Sequence, residues 1–102
     1  MKKFGRVLRS LRNEAGIGIK RLAPQLGVTY SYLSKLEHGA TAPSENLVYR
    51  TAAYFSCDPD RLLLAAGKTP PEVLRILQEN PEEALALLKQ RFGASNGTRR
   101  KP

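Results

Sequence analysis

The sequence predicts an all-α fold, on three observations. Apolar residues return at the three-to-four residue interval of a helix in one segment after another. Polar caps, prolines and glycines separate those segments where helices begin and end. The densest of the patterns, IKRLAPQLGVTYSYLSKLEHG over residues 19–39, reads as two short helices joined by a tight turn.

In chain order, residues 2–15 form an amphipathic helix with Phe4, Val7, Leu8 and Leu11 spaced i, i+3, i+4, i+7. Lys2, Lys3, Arg6, Arg9 and Arg12 make its basic, solvated face. Gly16 and Gly18 bracket Ile17 as the first connection. The second helix carries Ile19, Leu22, Ala23 and Leu26 on one face, and Gly27 ends it in a left-handed conformation that costs glycine little. Pro24 removes one backbone bond and should kink or tighten that helix near its end. Val28 plugs the turn, and the Thr29 hydroxyl caps the third helix. Leu33 and Leu36 point inward from it, while His38-Gly39 stops it. Thr29, Tyr30, Ser31, Ser34 and Lys35 are left facing outward, small or hydrogen-bonding side chains of the kind that meet base edges and phosphates.

Ser44 caps a fourth helix holding Leu47, Val48, Thr51, Ala52 and Phe55. Asp58 caps a fifth, with Pro59 at the favoured first position, Leu62, Leu63, Ala65 and Ala66 as packing residues, and Gly67 as its end. Thr69-Pro70-Pro71-Glu72 and Asn80-Pro81-Glu82-Glu83 are successive cap signatures for two more helices. Val73, Leu74 and Leu77 face one way on the first, and Ala84, Leu85, Leu87, Leu88 and Phe92 on the second. These helices can fold back to enlarge a small core, form a dimer interface, or do both. The expected organisation is a domain at 1–67, a helical extension at 68–93 and a disordered basic tail at 94–102, where Arg99, Arg100 and Lys101 add diffuse attraction to phosphates.

Charge is unevenly distributed. The 102 residues carry a formal +8, a basic balance that fits a polyanionic partner. Residues 1–40 hold eight basic against two acidic side chains, residues 41–67 are at −1, residues 68–93 are neutral and the tail is at +3. The excess coincides with the helix pair. One cysteine, Cys57, excludes a disulfide framework or a thiol cluster for metal. The single histidine, His38, sits at a helix end where a cation suits the dipole. No nucleophile pair, metal-ligand set or phosphate-cradling loop appears, so neither an enzyme nor a cofactor is expected. The charged N-terminus lacks a signal peptide's apolar core, and nothing approaches the ~20 apolar residues of a membrane span. The expected location is cytoplasmic.

The 19–39 stretch resembles the helix-turn-helix of the phage repressor and Cro type, the XRE-like regulators. Ala23, Gly27, Val28, Leu33 and Leu36 fall where that family places its small helix-contact residue, its turn glycine and its buried apolar positions. TAPSENLVYRTAAYFSCDPDRLLLAAG resembles the two helices that complete the family's five-helix domain, so the likeness covers roughly residues 3–67. It implies a five-helix lambda-repressor-like DNA-binding domain, here with two extra C-terminal helices. It further implies that the helix at about residues 30–37 enters the major groove of double-stranded DNA. Thr29, Tyr30, Ser31, Ser34 and Lys35 would then contact bases or nearby phosphates, Lys35 reaching guanine and Tyr30 a thymine methyl or phosphate. Gly18 and Ile19 replace the family's usual hydroxyl cap and phosphate-clamping glutamine, leaving Lys20, Arg21 and Arg6 to neutralise the backbone. Arg12 and Glu37 match positions that pair in the family, which makes Arg12 scaffold rather than DNA contact. The function implied is a sequence-specific transcriptional regulator, a dimeric repressor. The alternative is an antitoxin or adaptor whose C-terminal helices, through Leu85, Leu88 and Phe92, grip a protein partner.

Overall fold

The computed structural model describes residues 2–93 as helices and short connections; the basic tail at 94–102 lies outside the described residues. In order these are α1 (Lys2–Ala15), α2 (Ile19–Gln25), α3 (Tyr30–Glu37), α4 (Glu45–Phe55), α5 (Pro59–Ala65), α6 (Pro71–Glu79) and α7 (Pro81–Leu88), with a π-helical turn at Lys89–Gly93. The chain divides into two compact units between Thr69 and Pro70.

In the first unit α1 packs on α3 and α5, α2 on α3, and α4 on α5. The predicted apolar faces converge on one core built around Phe4, Leu8, Leu22, Leu26, Leu33, Leu36, Val48 and Leu63, all at most 1 % exposed. Four of those leucines come from α2 and α3. At roughly 1.5–3 kcal/mol per fully buried aliphatic side chain, they hold two helices that are too short to be stable alone. Val7, Leu11, Ile17, Ile19 and Val28 are half-buried at the edge of this core.

Local capping chemistry explains most of the boundaries. Thr29 Oγ1 accepts the Tyr32 amide at 3.1 Å, and Ser44 Oγ accepts the Leu47 amide at 3.1 Å. Asp58 Oδ1 accepts the Asp60 amide at 3.0 Å, with Pro59 at the first position of α5. Pro24 lies inside α2 as its penultimate residue. It is tolerated because only the Lys20 carbonyl loses its donor there, and the apolar register runs on to Leu26.

The second unit departs from its cap signatures. Pro70, not Thr69, occupies the cap of α6, and no side chain caps α6 or α7. The Asn80 amide group turns backwards instead, Nδ2 donating to the Ile76 carbonyl at 3.1 Å, so it closes α6 rather than opening α7. No residue of α6 or α7 is buried. Val73, Leu74, Ile76, Leu85, Leu87, Leu88 and Phe92 are 41–67 % exposed. Arg75 makes ion pairs along its own helix with Glu72 at 3.5 Å and Glu79 at 3.3 Å. Among the described residues no helix is long and apolar enough to cross a membrane.

Candidate nucleic-acid interface

The turn between α2 and α3 is fixed by its backbone. Leu26 N–H bonds back to Leu22 and Ala23, Gly27 N–H to Pro24 at 3.1 Å, and Val28 N–H to Ala23 at 3.0 Å. The last of these reaches back five residues, the long bond of a helix end closed by a left-handed residue. Gly27 supplies that residue, at φ +73°. The chain then leaves extended through Thr29 (ψ 158°) and starts α3.

A helix advances ~100° per residue, so α3 divides into two arcs. Tyr32, Leu33, Leu36 and Glu37 form the inner one; Leu33, Leu36 and Glu37 are buried and Tyr32 half-buried. Tyr30, Ser34, His38, Ser31 and Lys35 fall within about 140° of one another on the outer one. Tyr30, Ser31 and Lys35 are exposed, Tyr30 at 54 %, and Ser34 is half-buried. Thr29 is exposed at the cap just before α3; its oxygen is committed to the cap, but its hydroxyl hydrogen is free to donate. Lys20 and Arg21 are exposed on α2, and Arg6 is exposed on α1. His38 Nδ1 lies 2.8 Å from the Ser34 carbonyl, which can only accept, so the ring donates there and closes the end of α3.

Electrostatics set these helices apart from the rest. A helix N-terminus is the positive end of its dipole and ordinarily attracts acidic side chains. The first turns of α4, α5, α6 and α7 hold Glu45, Asp60, Glu72, and Glu82 with Glu83. Those of α1, α2 and α3 hold none. The segment with uncompensated positive ends is the one that carries the +6 excess.

Helix α3 is held from behind by an ion-pair cluster. Glu37, its side chain 1 % exposed, receives Arg12 Nε at 2.6 Å and Arg12 Nη2 at 3.1 Å. Arg12 Nη1 also donates to the Ile17 carbonyl at 3.3 Å. The hydrogen bonds to Glu37 hold the Arg12 guanidinium above its ordinary pKa. Arg9 approaches the same carboxylate at 3.4 Å. It is therefore not part of a purely solvated face as the basic stripe of α1 suggested: at ~100° per residue it shares a side of α1 with Arg12.

Two residues at this site have no signal in the sequence. Gly5 lets α1 approach the end of α3, since a Cβ there would lie 2.5 Å from the Leu36 carbonyl oxygen and 2.6 Å from that of Glu37. Arg50 of α4 donates from Nη1 to the Leu26 carbonyl at 2.9 Å, at the end of α2. Among the described residues no three His, Cys, Asp or Glu side chains gather into a metal-binding group. Cys57 is half-buried and its thiol is held above the usual range, chiefly by desolvation.

Known proteins identify this arrangement. A helix-turn-helix domain model matches residues 3–66. The chain belongs to the helix-turn-helix domain family. Among solved structures, this helix-turn-helix protein is similar to the clp gene regulator ClgR from Corynebacterium glutamicum, with 25% identity and a TM-score of 0.58. That likeness covers 89% of this chain and 92% of the regulator's, and so extends beyond the segment matched by the family model. No curated protein sequence matches the chain.

Proposed function

We propose that this chain is a sequence-specific, double-stranded DNA-binding transcriptional regulator of the XRE type, which inserts α3 into the major groove. The observation that carries this reading is the outer arc of α3. It gathers Tyr30, Ser31, Ser34 and Lys35, all able to hydrogen-bond and none acidic, on a helix whose opposite side is locked into the core. In this reading Lys35 meets guanine acceptors and Tyr30 a thymine methyl or a phosphate. Thr29, Ser31 and Ser34 contact bases or neighbouring phosphates, while Lys20, Arg21 and Arg6 neutralise the backbone and release counterions. The clp gene regulator similar to it lends support to a regulatory role. The chain acts without catalysis, in the cytoplasm, where it represses by occupying its site.

We further propose that the active species is a two-fold dimer reading half-sites one helical turn apart. The α6–α7 hairpin supplies the reason. Val73, Leu74, Ile76, Leu85, Leu87, Leu88 and the adjoining Phe92 are 41–67 % exposed, and apolar side chains left exposed in such number on a short segment mark an association surface. The same exposed surface also motivates the second reading, an antitoxin or adaptor whose hairpin holds a different protein. A stable complex with an unrelated chain in place of the homodimer would favour it.

The test of the DNA reading compares two variants. Lys35→Ala should cost about 1–3 kcal/mol at the specific site and relax preference at one base position. Arg21→Ala should weaken all sequences alike and reduce the salt slope by about 1. An unchanged specific affinity for Lys35→Ala would remove α3 as the reading helix.

A further inference from the structure

We infer that Arg50 is a positioning residue for DNA reading: a brace from α4 that fixes the angle at which the chain leaves α2 for α3. The inference rests on the reading of α3 as the recognition helix. It adds a residue that lies on neither helix of the motif and that acts through the turn between them.

Helix α2 needs such a brace. It has only seven residues, and Pro24 withholds one of the backbone bonds it could make. The amides of Leu26, Gly27 and Val28 are spent on carbonyls of Leu22, Ala23 and Pro24, which ties the turn inward. The Leu26 carbonyl, at the cap itself, has no helix after it to supply a donor. Arg50 fills that need from 24 residues away, at 2.9 Å. A cation is also the favourable partner at the negative end of a helix.

The contact is close and directed. A Cβ on Gly27 would lie 2.6 Å from Arg50 Nη1 and 3.6 Å from Cζ, so the guanidinium lies directly against the turn. Glycine at 27 thus serves both the positive φ and the passage of Arg50. No carboxylate forms an ion pair with Arg50 among the described residues, and its hydrogen bond there is to this neutral carbonyl. The other end of the brace is rigid. Ser44 caps α4, Leu47, Val48, Thr51 and Ala52 are buried, and Thr51 Oγ1 donates to the Leu47 carbonyl at 2.8 Å. A well-anchored helix therefore holds the exit of a weakly self-supported one, three residues before the Thr29 cap. Small angular errors there move every side chain of the outer arc together, and binding constellations depend on such supporting contacts.

The experiment uses the full chain and compares wild type with Arg50→Met, which keeps the stem, and Arg50→Lys, which keeps a cationic donor. Affinity is measured for a selected duplex and a scrambled one across a salt series, with amide exchange recorded in parallel. Arg50→Met should lose about 10-fold in specific affinity, the scale of one charge-assisted hydrogen bond. Scrambled-duplex affinity and the salt slope should stay at wild-type values. Exchange at Gly27 and Val28 should quicken while Leu47–Ala52 amides do not change, and Arg50→Lys should restore part of both effects. An equal loss on both duplexes with a salt slope smaller by about 1 would make Arg50 a phosphate contact and overturn the inference. Unchanged exchange at the turn would overturn it as well. If wild type bound no DNA, the reading of α3 would fall, while turn exchange would still decide whether the brace exists.

Discussion

Gly5→Ala sets a favourable local effect against an unfavourable distant one, and the structure decides the sign. Gly5 lies inside α1, where alanine should stabilise a helix by about 1 kcal/mol. Its missing side chain, however, faces the last carbonyls of α3. The added Cβ would lie 2.5 Å from Leu36 O, 2.6 Å from Glu37 O and 2.9 Å from Glu37 C, all backbone atoms that cannot rotate aside. Reaching an ordinary 3.4 Å contact requires α1 and α3 to separate by about 0.9 Å. That shift also stretches the Arg12–Glu37 bond, now 2.6 Å. Because backbone atoms must give way, the overpacking cost lies in the upper part of its usual range, about 2–3 kcal/mol, so after the propensity gain the net loss should be roughly 1–2 kcal/mol. A domain of this size has only about 3–10 kcal/mol in total, and the thermal midpoint should fall by about 4–16 °C. Chemical and thermal unfolding followed by circular dichroism measure it, with Ser10→Ala on the exposed side of α1 as the control for propensity alone. A Gly5→Ala protein as stable as wild type would show that α1 does not press on the end of α3.

Three further outcomes follow from the same geometry. Arg12→Met leaves Glu37 buried with only Arg9 at 3.4 Å and should cost about 3–5 kcal/mol, whereas Arg12→Met with Glu37→Leu should recover most of it; equal losses in denaturant titrations would contradict a buried pair. Because desolvation raises the Cys57 thiol, the folded protein should react with a thiolate-selective reagent more slowly than the urea-unfolded chain between pH 7 and 9. The sign follows from linkage: the folded state favours the neutral thiol, so Cys57 contributes stability at lower pH that is lost as pH rises through its raised folded value. Equal rates in the two states would deny it. Finally, Leu87→Glu with Leu88→Glu should convert a sedimenting dimer to monomer with helical content intact; wild type already monomeric at micromolar concentration would remove the hairpin as its interface.

What was legible in the sequence was whatever is encoded within a few residues. Gly27, Thr29, Ser44 and Asp58 each act on amides no more than three positions away or on their own φ, so the end of α2 and the starts of α3, α4 and α5 could be read directly. The inward Leu33 and Leu36 and the outward Tyr30, Ser31, Ser34 and Lys35 of α3 followed from spacing, whereas Tyr32 and Glu37 were not placed on the inner arc that way. The pairing of Arg12 with Glu37 came from a family resemblance; nothing in their spacing specifies it. Gly5, Arg9 and Arg50 were not legible for that reason, since their partners lie 24 to 32 residues away and depend on how the helices cross. Asn80 shows a local limit. Its side chain can satisfy the helix behind it or the helix ahead, and the Ile76 carbonyl takes it.

The most direct test of the central claim is a binding selection from randomised duplex DNA at near-physiological salt, using the full chain. Reading by paired α3 helices predicts recovery of a symmetric site with half-sites about ten base pairs apart. Recovery of no preferred sequence, with all duplexes bound equally, would contradict it.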